Sequence, residues 1–332
     1  MKTLVLQFCT LLLGCGYLLA QQHDGSLDWR TVLDWLPTDT QTLIVAAQPF
    51  VIPAQEPDVD SGGPSPVDFL GLYALGRLGE FPALYQALTG HTVKFALSGV
   101  REFQSFSGLG LGPYDGCAVI VFSEPLGASF SSAASGLPKE NWDGATVLHL
   151  STERQGSLRS APERLNLFVI ELGSNILAAA TDRDSLRYVL ERRNGHQTDR
   201  ALPDALPEWR VVDVTAAAWA MRHYKHTNDG RTREGVLSLG YKEELNDQEA
   251  VGVVYNAQPV GRTQKVYCLS HNQQAGELAR QRWELKEEGL VTPRVSRRFD
   301  GVVEVVVPTP SAQASGVFDL LLLTSLGYAI AI

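Results

Sequence analysis

The sequence predicts an α+β fold made of two similar halves, each a mainly antiparallel sheet with helices packed on one face. The first observation is that two short apolar runs between residues 165 and 180 flank a Gly-Ser-Asn turn and precede an amphipathic helix. The second is that hairpin, polar cap and helix return in the same order at residues 250–288. The third is a hydrophobic content of 44% over 332 residues, which suffices for a sizeable core.

The unit at residues 165–195 is the best defined. Residues 165–172 and 176–180 are apolar and of strand length, and the small residues between them suit a tight hairpin. Either Thr181 or Asp182 can cap the helix that follows, because both side chains accept hydrogen bonds from free backbone N–H groups. Gly195 is placed to end that helix.

Patterns of the same kind predict the other elements in chain order. In the first half they give strands at 42–47, 91–100, 117–122 and 145–150, and helices at 67–78, 82–88 and 128–135. In the second half they give strands at 210–214, 234–241, 250–256, 264–269 and 302–307, and helices at 216–224 and 274–288.

The chain divides into four predicted parts. These are a signal peptide (1–20), a first α+β domain (21–200), a second α+β domain (201–308), and a linker with an apolar C-terminal segment (309–332). Within the first domain, residues 49–66 are acidic and rich in proline and glycine. They predict an exposed loop, because such a stretch buries too little apolar surface to offset its ordering entropy.

The N-terminus has the features of an export signal. Lys2 precedes an apolar stretch at residues 4–13, and Ala20 stands before two polar glutamines. Cys15 follows Leu-Leu-Gly and resembles the cysteine of a bacterial lipobox, so lipidation of Cys15 is an alternative to cleavage after Ala20. An uncleaved anchor is the third alternative. All three place the protein in the periplasm or attach it to the envelope.

Residues 36–40 read Leu-Pro-Thr-Asp-Thr and precede a predicted strand. This segment resembles the opening of uncharacterised exported bacterial proteins that begin with Leu-Pro-Ala-Asp-Thr and carry repeated strand-strand-helix units. The sequence departs from that pattern at Thr38, where those proteins have alanine. The resemblance implies an exported α+β protein, and it transfers no catalytic residue.

The charge of the chain argues against nucleic acid as a partner. The formal net charge is −9, whereas phosphate binding needs clustered lysine and arginine. The basic pairs Arg192–Arg193 and Arg297–Arg298 are short and stand near acidic residues. We interpret them as the solvated ends of a helix and a strand.

Cys117 and Cys268 are the cysteines outside the leader. In an oxidising compartment they could form a disulfide that joins distant parts of the chain. Both stand in apolar, strand-like runs, where a free cysteine packs as a small hydrophobic side chain. The sequence leaves these two alternatives open.

No cofactor motif is present in the sequence. Gly108, Gly110 and Gly112 are followed by a proline and a strand pattern, whereas a dinucleotide-binding turn must open a helix. No serine has the Gly-x-Ser-x-Gly setting of an α/β hydrolase. We therefore expect no cofactor, and the catalytic residues, if the protein has any, stay unknown.

The candidate metal ligands are His223, His226 and Asp229. The two histidines are three residues apart and would share one face of the predicted helix at 216–224, with the aspartate nearby as a third ligand. Arg222 and Lys225 stand beside them, which is also typical of a solvated helix end. Metal binding and a solvated helix end are therefore the two interpretations.

Residues 316–332 are almost entirely apolar. As a helix, residues 320–332 would span about 20 Å, less than the roughly 30 Å thickness of the hydrocarbon core of a bilayer. We expect this segment to pack back onto the body of the protein. Attachment to a membrane or a partner is the alternative.

The first functional hypothesis is a non-enzymatic bacterial envelope protein that offers a binding or scaffolding surface to an unknown envelope protein or small ligand. The second is a periplasmic hydrolase, or another enzyme of unrecognised type, that uses the region of His223 and His226. The third is a membrane-tethered assembly component held by Cys15 or by residues 316–332. The first hypothesis is favoured by the acidic composition and the apolar C-terminus.

Overall fold

The structure is a computed structural model. It describes residues 27–54, 67, 71, 74–103, 114–142, 145–154, 163–195, 199–223, 250–258, 264–284, 294–299 and 301–307. Within these ranges the predicted α+β class is confirmed, because antiparallel strands form one large sheet and short helices pack against it.

The strands of the described residues are β1 (Thr42–Ala46), β2 (Phe50–Val51), β3 (Thr92–Phe103), β4 (Tyr114–Phe122), β5 (Lys139–Trp142), β6 (Ala145–Arg154), β7 (Glu163–Gly173), β8 (Ile176–Ala180), β9 (Ala218–His223), β10 (Ala250–Ala257), β11 (Gln264–Ser270), β12 (Arg294–Phe299) and β13 (Val302–Val307). The α-helices are α1 (Trp29–Leu33), α2 (Pro82–Leu88), α3 (Gly127–Ser135), α4 (Arg183–Arg193) and α5 (Gln273–Glu284). Short 3₁₀ segments occupy Gly76–Glu80 and Pro207–Arg210.

A single sheet contains all of these strands. Its order is β12-β13-β11-β10-β9-β1-β3-β4-β8-β7-β6-β5, and β2 also pairs with β3. The junction between the halves is β1, which pairs with β3 on one side and with β9 on the other. The halves therefore share one continuous sheet instead of forming a sheet each. The reason is that β1 is buried throughout, so the backbone N–H and C=O groups on both of its edges need hydrogen-bond partners, which β3 and β9 supply.

The two halves are similar in topology. Moving outward from the junction, the first half has the order β1, β3, β4, β8, β7, and the second has β9, β10, β11, β13, β12. The third strand in each order is β4 in the first half and β11 in the second. Along the chain, each of these strands is followed by a helix and later by a hairpin, one strand of which pairs with it. The hairpin β7-β8 thus corresponds to β12-β13, and not to β10-β11 as the sequence comparison suggested. The pattern of hairpin, cap and helix is too general to identify which hairpins correspond.

Helical segments cover both faces of the sheet. We call the face that carries Ile44 face A and the face that carries Leu43 face B. On face A, α2, α3 and the segment Gly76–Glu80 pack against the strands, and on face B, α1 and α4 do so. The expectation that helices pack on one face is corrected here. Central strands such as β1 and β8 are apolar and buried at every residue, so they present apolar side chains to both faces of the sheet. Both faces must therefore be covered.

The central hairpin and helix follow the sequence prediction closely. β7 and β8 flank the predicted turn, and the side chain of Asp182 caps α4 by accepting a hydrogen bond from Ser185 N at 2.8 Å. Thr181, the alternative cap, instead accepts a hydrogen bond from Gly116 N at 3.0 Å and ties β8 to β4. Gly195 follows α4 with a φ of 80°, a conformation that glycine adopts without strain.

Two predictions in the second half are wrong. The helix predicted at residues 216–224 is a strand, because Ala218–His223 form β9 with a strand on each side, and sheet pairing outweighs the helical preference of alanine and methionine. The strand predicted at residues 210–214 is absent, because these residues follow a 3₁₀ segment and lie against β10. There the side chain of Asn256 donates to Val211 O at 2.8 Å and accepts from Asp213 N at 2.9 Å.

Several sequence predictions fall outside the described residues. They are the signal peptide with Cys15, most of the acidic loop at 49–66, the strand at 234–241 and the apolar segment at 316–332. Among the described residues, no helix combines the length and apolar character needed to cross a bilayer.

Candidate functional site

The region around His223 differs from the predicted metal site. His223 ends a strand rather than lying on a helix, and residues three apart on a strand point to opposite faces of the sheet. The shared helix face on which the pairing with His226 depended is therefore absent at His223. His226 and Asp229 lie outside the described residues. Within the described ranges, no three His, Cys, Asp or Glu side chains are grouped to hold a metal ion.

The partner of His223 is Glu208. Nδ1 of His223 lies 2.8 Å from Oε1 of Glu208, whose side chain is fully buried, whereas a quarter of the histidine side chain is exposed. Gly252 on β10 makes room for the carboxylate, because a Cβ atom there would lie 2.0 Å from Glu208 Oε1. A carboxylate on Nδ1 fixes the orientation of an imidazole, as general bases require. Glu208 was not predicted from the sequence, where its one signal was the glycine inside an apolar strand.

Cys117 and Cys268 are not joined in a disulfide, and both are buried. Cys117 lies on β4 with its side chain on face B, whereas Cys268 lies on β11 with its side chain on face A. Five strand spacings of about 4.8 Å separate β4 from β11, a distance of about 24 Å, and a disulfide requires Cα atoms within about 7 Å. The disulfide alternative is therefore excluded, and the cysteines are core residues. Burial raises the pKa of the Cys117 thiol to about 12.

A second group of polar side chains lies on face B near the β5 edge of the sheet. Strands β5, β6 and β7 supply a carboxylate and three rings, and α4 supplies two arginines one helical turn apart. We call this group the aromatic–arginine cluster, and it consists of Glu140, Trp142, His149, Phe168, Arg183 and Arg187. No sequence motif indicated it, because its residues come from four elements and meet through strand pairing.

The rings form the base of the cluster. His149 and Phe168 are directly opposite each other on β6 and β7, and their rings stack with centroids 4.5 Å apart. The rings of Trp142 and Phe168 are 5.8 Å apart, and both side chains are buried. The base is therefore rigid, since each ring is held by strand pairing and by its neighbour.

Glu140 connects the base to the helix. It accepts hydrogen bonds from Trp142 Nε1 at 3.0 Å and from Arg183 Nη2 at 2.6 Å, and its Oε1 lies 3.2 Å from His149 Nδ1. The hydrogen bond from Trp142, followed by the charges of Arg183 and His149, lowers the pKa of Glu140. The carboxylate is thus a fixed negative charge that binds three side chains.

The two arginines lie over the rings. The guanidinium carbon of Arg183 is 5.5 Å from the Phe168 centroid, and that of Arg187 is 5.4 Å from the Trp142 centroid. Both arginine side chains are exposed. Arginine and tryptophan are enriched among the residues that dominate protein–protein binding energies. The cluster can therefore act as a binding surface whose cations are already oriented.

The comparisons with known proteins add a structural likeness. No family model matches the chain. No curated protein matches it by sequence either. Among solved structures, crystal form I of TP0453 superposes with a TM-score of 0.46 and 9% identity, covering 89% of this chain and 98% of that chain. Crystal form III of TP0453 superposes with a TM-score of 0.45 and 9% identity, covering 89% and 99% of the two chains.

Proposed function

We propose that this chain is a non-enzymatic binding or scaffolding protein exported to the bacterial envelope, and that the aromatic–arginine cluster is its contact surface. The observation that carries the proposal is the exposure of two arginines over buried rings. Each guanidinium has a preferred position before any partner arrives, so binding removes little side-chain freedom. The continuous sheet beneath the cluster keeps the four contributing elements in register.

Export is supported by the N-terminal sequence. Lys2, the apolar residues 4–13 and Ala20 have the order of charge, apolar core and small residue that export signals require. Lipidation at Cys15 would tether the protein to a membrane and make it an assembly component. Mass determination of the mature N-terminus, after cell fractionation, separates a soluble product that starts at Gln21 from a lipidated product that starts at Cys15.

Photo-crosslinking in cells tests the contact surface. A benzoylphenylalanine at the exposed position Asp184 on α4 is close to Arg183 and Arg187, and the matched control is the exposed position Gln86 on α2, which packs on face A. We expect a discrete crosslinked adduct at position 184 and none at position 86. Equal crosslinking at both positions, or none at position 184, would contradict the proposal.

A second candidate function is a hydrolase that uses His223 as a general base. The buried carboxylate of Glu208 beside Nδ1 favours it, because this arrangement orients an imidazole for proton transfer. Hydrolysis of ester and peptide substrates by the exported protein tests this candidate, together with metal analysis of the purified sample. Activity that the substitutions His223→Ala and Glu208→Gln both remove would establish catalysis and replace the binding proposal.

A further inference from the structure

We propose that the aromatic–arginine cluster binds a carboxylate on an acidic peptide segment of a partner protein, and that Arg187 is the residue that holds it. This inference rests on the proposed function and adds the chemistry of the partner. Its basis is that Arg183 and Arg187, the two arginines of the cluster, differ in the contacts they make.

Arg183 is already committed to a carboxylate within the chain. Its Nη2 atom donates to Glu140 at 2.6 Å, and Glu140 is also held by Trp142. Because these contacts lower the pKa of Glu140, the carboxylate stays ionised at neutral pH and compensates the charge of Arg183. Arg183 therefore serves mainly to fix the cluster.

Arg187 has the same kind of ring beneath it but no carboxylate. It lies over Trp142, and it makes no ion pair within the part of the chain that the structure describes. Asp184 and Glu191 stand three residues before it and four after it on the same helix, yet neither pairs with it. A guanidinium over a ring keeps its in-plane N–H groups available, and their spacing matches the two oxygens of a carboxylate.

The surrounding charges favour a peptide carboxylate over an anionic lipid surface. Asp184 and Glu191 are exposed one turn to either side of Arg187, and Glu140 is close to Arg183. A membrane of anionic lipids would bring negative charge against all three acids at once. A single carboxylate on a flexible segment can reach Arg187 and avoid its acidic neighbours.

The test is a binding measurement with a defined peptide. A fluorescein-labelled peptide with one glutamate in a glycine–serine segment and an amidated C-terminus is titrated with the full mature protein, and the same peptide with glutamine in place of glutamate is the control ligand. Arg187→Gln should weaken binding of the acidic peptide about tenfold, which corresponds to about 1.4 kcal/mol. The affinity of Arg187→Lys for the acidic peptide should lie between those of the unchanged protein and Arg187→Gln, since lysine keeps the charge but lacks the planar guanidinium group.

Arg30 provides a matched control, because it is also exposed and lies over a ring, 5.3 Å from the centroid of Trp29. Arg30→Gln should leave the affinity within about twofold. Circular dichroism checks that each variant is folded. Equal binding of the two peptides, or an unchanged affinity in Arg187→Gln, would overturn the inference.

Two further outcomes are informative. The first distinguishes a peptide site from a lipid site, and the second shows whether this inference fails alone or together with the proposed function. If vesicles of phosphatidylglycerol bind the protein through Arg187 while the acidic peptide does not, the site takes a lipid headgroup and the inference is wrong. If position 184 crosslinks to a partner in cells while the acidic peptide fails to bind, the proposed function stands and the carboxylate inference alone fails.

Discussion

Glu140 is the residue on which the aromatic–arginine cluster depends. Its carboxylate accepts hydrogen bonds from a strand tryptophan and a helix arginine, and it lies 3.2 Å from Nδ1 of a strand histidine. Because β5 is a short strand at the edge of the sheet, this carboxylate also ties the edge to α4. The residue therefore has a structural role and a role in the binding surface.

We expect Glu140 to titrate below the ordinary glutamate pKa of 4.5. The hydrogen bond from Trp142 is the largest single cause of the lowering, and Arg183 contributes through its charge and through a hydrogen bond, so Trp142→Phe and Arg183→Gln should each raise the measured pKa. Because the folded-state pKa is lowered, the stabilisation is present above the unfolded value and is lost as the pH falls through the folded one. A carboxyl-carbon NMR titration measures the pKa in all three proteins. An unchanged pKa in either variant would contradict the assignment.

Cys117 should be inert while the protein is folded. Burial raises its pKa to about 12, so the thiol stays protonated and unreactive at neutral and moderately alkaline pH. We expect alkylation of Cys117 and Cys268 only after denaturation, without a reducing agent, as detected by peptide mass mapping. A peptide pair linked through these cysteines would contradict the separation of β4 from β11.

At the level of elements, the segment that carries Glu208 is held against β10 by two hydrogen bonds and fits into a space that β10 leaves open. Asn256 binds the backbone of Val211 and Asp213, and Gly252 leaves space for the Glu208 carboxylate. These contacts explain why a segment with strand-like composition lies over the sheet instead of joining it. They also place His223 beside a buried carboxyl group.

Gly252→Ala should destabilise the protein strongly. The added Cβ would lie 2.0 Å from Glu208 Oε1 and 2.5 Å from Arg222 O, and the second contact is backbone that cannot turn away. We expect a loss of about 1–3 kcal/mol in the free energy of unfolding.

The matched control is Gly136→Ala. Among the residues that the structure describes, and apart from the two chain neighbours, no atom lies within 4 Å of the Cβ position there, and the φ of −84° suits alanine. Urea denaturation of both variants checks the prediction. A loss in Gly136→Ala as large as that in Gly252→Ala would show that crowding at β10 is not the cause.

At the scale of the whole molecule, β1 determines how the two halves relate. Its five residues pair with both β3 and β9, and its side chains contribute to the cores on both faces. A strand buried in this way belongs to both halves. We therefore expect the described sheet to unfold as one cooperative unit, although the sequence suggests two domains.

Hydrogen exchange in urea tests this cooperativity. Amides of β4 and β11 should lose protection at the same denaturant concentration, because separating the halves would break the backbone hydrogen bonds between β1 and β9, two strands that are both buried. Ile44→Ala should lower both protections together by about 2–5 kcal/mol, since Ile44 is fully buried at the junction. Val51→Ala is the control, because Val51 is 57% exposed. Separate loss of protection in the two halves would contradict a single unit.

The sequence by itself determined the features that depend on neighbours along the chain. The hairpin β7-β8, a helix cap at either Thr181 or Asp182, the start and end of α2 and the strand β13 all follow from local apolar patterns and from turn or cap residues. Short charged strands such as β5 and β12 were missed, because edge strands avoid the apolar pattern that identifies a strand.

Only the tertiary structure decided what depends on distant pairing. The alanine-rich segment at β9 was predicted as a helix, but pairing with β1 and β10 makes it a central strand. Pairing with β1 also joins the two halves. The same pairing brought together the aromatic–arginine cluster and the Glu208–His223 pair, and it separated Cys117 from Cys268. Such contacts join residues far apart in the chain, and the free energy that selects them comes from burial on both faces of the sheet, which no local window contains.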